Sequence, residues 1–134
     1  RHLGIVVDNL EKFEQFFNCL GFVTIYAETE DGNDIEALLG SKNTIQIIKM
    51  KDNSGSIIEF LKYVNHETKT SANKLPWSNG INHAALTVRG LQSYIDVFCK
   101  FGGQLVGEIV EKPNVRLCYI KDFENNIFEL VENR

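Results

Sequence analysis

Between Leu3 and Val7 the side chains divide by parity, with His2, Gly4 and Val6 on one face and Leu3, Ile5 and Val7 on the other, which predicts a strand. The period then lengthens. Leu10, Phe13, Phe17 and Leu20 recur three or four apart on one helical stripe, Asp8 followed by Glu11 resembles a capping box, and Gly21 is placed as the stop. The whole pattern recurs at a constant offset of 81: His83 falls on His2, Leu86 on Ile5, Val88 on Val7, Leu91 on Leu10, Tyr94 on Phe13, Phe98 on Phe17, Phe101 on Leu20 and Gly102 on Gly21. A register this long predicts an internal duplication.

Three further strands are expected after each helix: 34–40, 43–50 and 56–63 in the first copy, and 104–111, 115–122 and 126–132 in the second. Turn-forming GSKN and DNSG separate the first set, and FEN closes the last hairpin of the second. Each copy therefore reads as β-α-β-β-β, with module 1 over about 1–63, a polar linker over about 64–80 and module 2 over about 81–134. The expected fold is α+β: two tandem βαβββ modules forming a cup-shaped, partly open β-barrel-like sheet with flanking helices.

At 134 residues and 43% hydrophobic content, one compact domain built from both modules is expected. The net charge of -4 is spread along the chain with no basic stripe, which argues against nucleic acid as a partner. No apolar run reaches membrane-spanning length and no signal-peptide pattern opens the sequence, so a soluble, cytoplasmic protein is expected. Cys19, Cys99 and Cys118 make an odd number without a CxxC, and read as reduced core residues.

The terminal strands of the copies align at an offset of 70, so that Ile57 matches Ile127, Glu59 matches Glu129 and Leu61 matches Val131. Each module thus offers one His on its first strand and one Glu on its last. A carboxylate in an apolar strand costs several kcal/mol unless it is partnered. Pseudo-twofold packing would gather His2, Glu59, His83 and Glu129 around one divalent cation. A nitrogen and oxygen set of this kind suits Zn, Ni, Co, Mn or Fe(II) and leaves positions open for water or substrate. His2 adjoins the first residue of the sequence, where fraying would leave it without a metal.

On these residues the chain resembles the vicinal oxygen chelate superfamily, which takes in glyoxalase I, epimerases, extradiol dioxygenases and fosfomycin- and bleomycin-resistance proteins. HLGIVVDNLEKFEQFFNCLGF is similar to the family's opening strand and helix, GINHAALTV to the start of its second module, and KDFENNIFELVE to its final hairpin. The His, Glu, His, Glu order is most similar to bacterial glyoxalase I. That resemblance implies a lyase or isomerase reaction through a metal-bound enediolate, with Glu129 or Glu59 as the proton-shuttling base, and a homodimer. The bacterial enzyme's basic glutathione contact on the first strand and its asparagine after the first Glu have no counterpart in HLGIVV and FLKY, which points toward another α-hydroxy or α-keto substrate.

Arg116 inside VRLCYI is a candidate anchor for a substrate carboxylate, against the reading that it snorkels outward. Gln46, Tyr63 and Tyr119 are candidate lining residues, with faces that depend on register. Trp77 is either a flap over the site or an anchor for the linker. Two other functions are expected alternatives. An extradiol-type dioxygenase would need only His2, His83 and Glu129, and a binding protein would sequester a small molecule, such as an antibiotic, without chemistry.

Overall fold

In the computed structural model the described residues are 1–67 and 74–134, so the 68–73 part of the expected linker lies outside them. The chain divides into two compact units, Arg1–Lys69 and Thr70–Arg134.

The first unit runs β1 (Leu3–Val6), α1 (Leu10–Cys19), β2 (Val23–Glu30), α2 (Asn33–Leu39), β3 (Ile45–Lys51) and β4 (Ile57–Tyr63), with its strands ordered β1-β4-β3-β2. Helix α1 begins at Asn9, whose side chain accepts from Lys12 N at 3.0 Å, rather than at the expected Asp8. Its buried stripe is Phe13, Phe16 and Phe17. Phe60 of β4 meets Phe13 and Phe17 at ring separations of 5.0 and 4.8 Å, which fixes the helix over that face of the sheet.

Segment 34–40, expected as a strand, is helix α2. Glu36, Ala37, Leu38 and Leu39 are strong helix formers, Asp34 and Glu36 suit the positive N-terminal end, and Gly40 closes the helix at φ +70°. The missing strand is β2, an edge strand with most residues exposed. Ile35 of α2 packs with Ile45 and Ile47, so α2 lies on the face of the sheet opposite α1.

The second unit runs β5 (His83–Thr87), α3 (Leu91–Lys100), β6 (Gln104–Leu105), β7 (Val110–Lys112), β8 (Val115–Lys121) and β9 (Ile127–Asn133). Its order is β5-β9-β8-β6, with β7 also on β8. The expected strand 104–111 is thus two short pieces on one partner. Gly103 makes the turn into β6 possible, because a Cβ there would strike the Lys121 and Phe98 carbonyl oxygens. Leu91, Ile95 and Phe98 are the buried face of α3, so Ile95 takes the central place expected of Tyr94.

The architecture is α+β, with sheets of four and five strands, neither closed into a barrel, and three helices among the described residues. First and last strands are neighbours in each unit as expected, but they run parallel: β1 pairs with β4 and β5 with β9. None of the described helices is long and apolar enough to cross a membrane. Cys118 is buried, whereas Cys19 and Cys99 are exposed, which corrects their expected place in the core. Both stand in the last turn of a helix whose other face packs on the sheet.

Candidate metal centre

Glu59 sits between Ile58 and Phe60, whose side chains fill the α1 side, so strand alternation turns its carboxylate to the opposite face. It pairs in register with Gly4 on β1 and Lys49 on β3. A Cβ on Gly4 would come within 3.6 Å of Glu59 Oε2, so the glycine leaves room beside the acid. His2 reaches over from the start of β1, with Nε2 3.0 Å from Glu59 Oε2. Lys49 Nζ lies 3.2 Å from the other oxygen, Oε1, and 5.0 Å from the centre of the Tyr26 ring. The Tyr26 hydroxyl donates to Glu30 at 2.6 Å, and that bond, with burial and the charges of Glu30, Glu28 and Glu59, pushes its pKa up to about 12.

The second unit repeats this frame. Glu129 is flanked by Phe128 and Leu130, both buried on the α3 side, and pairs in register with Ala85 and Tyr119. His83 Nε2 lies 3.5 Å from Glu129 Oε2, and the Tyr119 ring packs against the imidazole at 5.0 Å between centroids. His83 Nδ1 is 3.1 Å from Asn82 Oδ1, while Asn82 Nδ2 donates to the Pro76 carbonyl at 2.7 Å. With its amide nitrogen committed, Asn82 presents an acceptor to Nδ1. That nitrogen therefore carries a proton, and in the neutral ring Nε2 offers its lone pair toward Glu129. Two acceptors facing each other need a cation or a proton between them.

Both spacings suit two ligands of one metal. With bonds of about 2.1 Å, cis donors lie about 3.0 Å apart at a right angle and about 3.4 Å apart in a tetrahedron. Each unit brings together its own pair, and among the described residues no three His, Cys, Asp or Glu side chains gather as a metal-binding group.

The candidate substrate residues divide. Tyr119 lies on the Glu129 face and Tyr63 on the Glu59 face, where Tyr63 packs beside Ile45 and Ile47 under α2. Gln46 is on the α1 side, in an open groove of about 600 Å³ whose lining includes Glu11, Glu14 and Lys62. Arg116 is also on the helix side: it pairs with Glu111 at 3.2 Å and with Glu132 at 3.3 Å, and Glu132 accepts from Gly90 N and Leu91 N at the start of α3. It therefore stands on the face of the sheet opposite Glu129 and is held by two acids. Trp77 is 79% exposed, so it does not anchor the linker. Asn82 and Lys74, which donates to the Ile81 carbonyl at 2.7 Å, tie that segment down instead.

Lys49 and Asn82 were not anticipated. Both were within reach of the sequence, since Asp52 and Ser56 close the DNSG turn and counting outward from that pair sets Lys49 opposite Glu59. Asn82 directly precedes His83.

No protein-family model and no curated protein matches the chain by sequence. Its architecture does have counterparts. A glyoxalase family protein from Bacillus cereus superposes with a TM-score of 0.88 at 24% identity, over 98% of this chain and 91% of the other. The chain has the vicinal oxygen chelate fold. Further examples of the fold are a glyoxylase/bleomycin resistance protein/dioxygenase domain from Frankia (TM-score 0.73, 14% identity, covering 99% and 90%) and the fosfomycin resistance protein FosX of Listeria monocytogenes. The latter, solved with Mn(II) and sulfate, gives a TM-score of 0.59 at 19% identity, covering 100% and 91%. These identities speak to the vicinal oxygen chelate fold alone.

Proposed function

We propose that the protein is a divalent-metal-dependent lyase or isomerase of the glyoxalase I type, acting on a small α-hydroxy or α-keto compound that is not carried by glutathione. His2 and Glu59 of one unit and His83 and Glu129 of the other are the ligands in this reading. The carrying observation is the repeated His–Glu pair, in the same register on the same pair of strands, at 3.0 and 3.5 Å. FosX, of the same fold, was solved with Mn(II). A bound divalent ion supplies Lewis acidity to two neighbouring substrate oxygens.

The chain's own residues supply the rest. Asn82 fixes the tautomer of His83 and Tyr119 fixes its ring plane. Of the two acids, Glu129 is the one assigned to moving a proton between adjacent carbons, because among the described residues of its unit it is paired with His83 and with no lysine, whereas Glu59 carries Lys49. Tyr119 and Trp77 are the residues left to shape the substrate space.

Metal analysis of protein purified without chelator tests this. One divalent ion per chain is expected, lost in Glu129→Gln; protein that is metal-free and takes up none on addition of Mn(II), Zn(II) or Ni(II) sinks the proposal. The Lys49 pairing also favours a second reading. If Glu59 is fully occupied by the lysine, His2, His83 and Glu129 form a two-His-one-carboxylate set suited to Fe(II) oxygen chemistry. Glu59→Gln separates the two, since the isomerase set loses affinity and the iron set keeps it.

A further inference from the structure

The carboxylates of the two half-sites, Glu59 and Glu129, hold equivalent places in the repeat but not equivalent environments. Glu59 has each oxygen assigned: Oε2 faces His2 Nε2 at 3.0 Å and Oε1 faces Lys49 Nζ at 3.2 Å, with the side chain only 10% exposed. Lys49 has little freedom to leave. It is centred on β3 opposite Glu59, its ammonium stands over the Tyr26 ring, and Tyr26 is held in turn by Glu30. The matching position in the second unit is Tyr119, which touches His83 and brings no charge to Glu129.

We infer that Lys49 is a positioning residue that commits Glu59 to metal ligation through one oxygen, Oε2, and that its charge holds down the affinity of the site for divalent ions. The inference rests on the reading of Glu59 as a ligand. A carboxylate with one oxygen clamped by an ammonium cannot close both oxygens on a metal, and a fixed cation beside the ligand opposes a second cation in a site of reduced dielectric. Two consequences can be separated. Removing the charge strengthens binding of every divalent ion alike, whereas releasing Oε1 favours ions that accept two-oxygen carboxylate ligation. Ca(II), with six to eight oxygen ligands and tolerance of bidentate carboxylates, gains more than Mn(II) bound at a mixed nitrogen and oxygen site.

The experiment is calorimetric titration of the metal-stripped full chain with Mn(II) and separately with Ca(II), for the wild type, Lys49→Met and Lys49→Arg. Lys49→Met is expected to bind Mn(II) about tenfold tighter. Its preference is expected to move toward Ca(II) by a further factor of about five. Lys49→Arg, which keeps the charge, shows neither the tightening nor the move toward Ca(II). Equal tightening for the two ions overturns the one-oxygen commitment, and unchanged or weaker Mn(II) binding by Lys49→Met overturns the inference entirely while the metal reading stands. A wild type that takes up no Mn(II) overturns the metal reading and this inference with it. Should Lys49→Met fail to fold, Lys49→Gln takes its place with the same outcomes.

Discussion

The half-sites of the two units share a backbone and differ in what surrounds it. In both, a His at the start of the first strand meets a Glu on the parallel last strand. Around Glu59 the neighbours are Gly4 and Lys49; around Glu129 the corresponding residues are Ala85 and Tyr119. His83 has Asn82 behind it, and the equivalent of Asn82 is Arg1, which carries no acceptor to orient His2. Duplication therefore conserves where a ligand can stand, and divergence at the neighbouring positions decides how firmly it is held and with what charge. One half carries a lysine on its acid; the other carries an amide acceptor behind its histidine.

The same contrast holds in the cores, where the largest effect is expected. Phe60 and Leu130 are equivalent at the offset of 70, and both are fully buried. In the first unit Phe60 meets the rings of Phe13 and Phe17, while in the second a ring partner of Phe98 is Phe128, one step earlier on that face of the strand. Phe60→Ala should cost roughly 3–5 kcal/mol in urea denaturation. Phe60→Leu, which installs the other unit's residue, should cost roughly 1–2 kcal/mol. A leucine as damaging as alanine would show that the two cores are not interchangeable frames.

Strand and helix pairs carrying these cores were legible because Phe13, Phe17, Leu91 and Phe98 mark burial at helical spacing, and Ile57 to Leu61 and Ile127 to Val131 mark strands interrupted by a single acid. Strand β2 was not, although Val23, Ile25 and Ala27 alternate with Thr24, Tyr26 and Glu28, because DIEALLG, with Ile35 as its one buried residue, offers a competing short apolar run that fits strand and helix equally. Arg116 shows the other limit. Residue type made it an anchor candidate, but its face follows from pairing with Glu132, and a tertiary pairing is not a property of the local run.

The closing turns of the two units give the next largest effect. Asp52 and Asp122 occupy the same place: Oδ1 of Asp52 accepts from Ser54 N and Ser56 N, and Oδ1 of Asp122 from Glu124 N and Asn126 N. Gly55 and Asn125 take positive φ at the matching turn position. Yet their carboxyls shift in opposite senses. Partial burial raises the Asp52 pKa, but the Ser54 hydroxyl and the Ser56, Ser54 and Gly55 amides together outweigh it and hold the acid below its usual range. Asp122 is 3% exposed, and burial, despite the Asn126 side chain and the Asn126 and Glu124 amides, pushes it to about 6. The folded state therefore holds a proton that the unfolded chain releases near pH 4. Stability falls as pH rises from about 4 to about 6, by an amount on the order of 3 kcal/mol, and the penalty is absent below that window. Asp52 works the other way, since its contribution is present above the unfolded value and lost as pH falls through the folded one. Asp122→Asn keeps an Oδ1 acceptor for the two amides, so chemical denaturation across pH 4–7 should show the decline flattened and the variant more stable than wild type at pH 7. An unchanged slope would remove Asp122 as its source.

The smallest effect concerns how each long helix begins. Helix α1 has a local cap, Asn9 accepting from Lys12 N at 3.0 Å, whereas α3 starts after Gly90 with no side-chain cap of its own, and Glu132 from β9 accepts from Gly90 N and Leu91 N at 2.7 and 3.1 Å. Those two amides, with Arg116, hold the Glu132 carboxyl below its usual range. Asn9→Ala should cost about 1 kcal/mol, equally at all pH values near neutrality, because an amide cap does not titrate. Glu132→Gln keeps an acceptor for the two amides but breaks the charged link to Arg116, and its loss should shrink with added salt as the ion pair it removes is screened. Hydrogen exchange at the first turns of α1 and α3 reads both variants. Protection should fall only at α1 in Asn9→Ala, since that cap is sequence-local, and at α3 together with the end of β9 in Glu132→Gln, since there the cap is also a tie between helix and sheet. Fraying confined to α3 in the second variant would mean that Glu132 is only a cap, and that the two helix starts differ in the origin of the acceptor but not in its consequence.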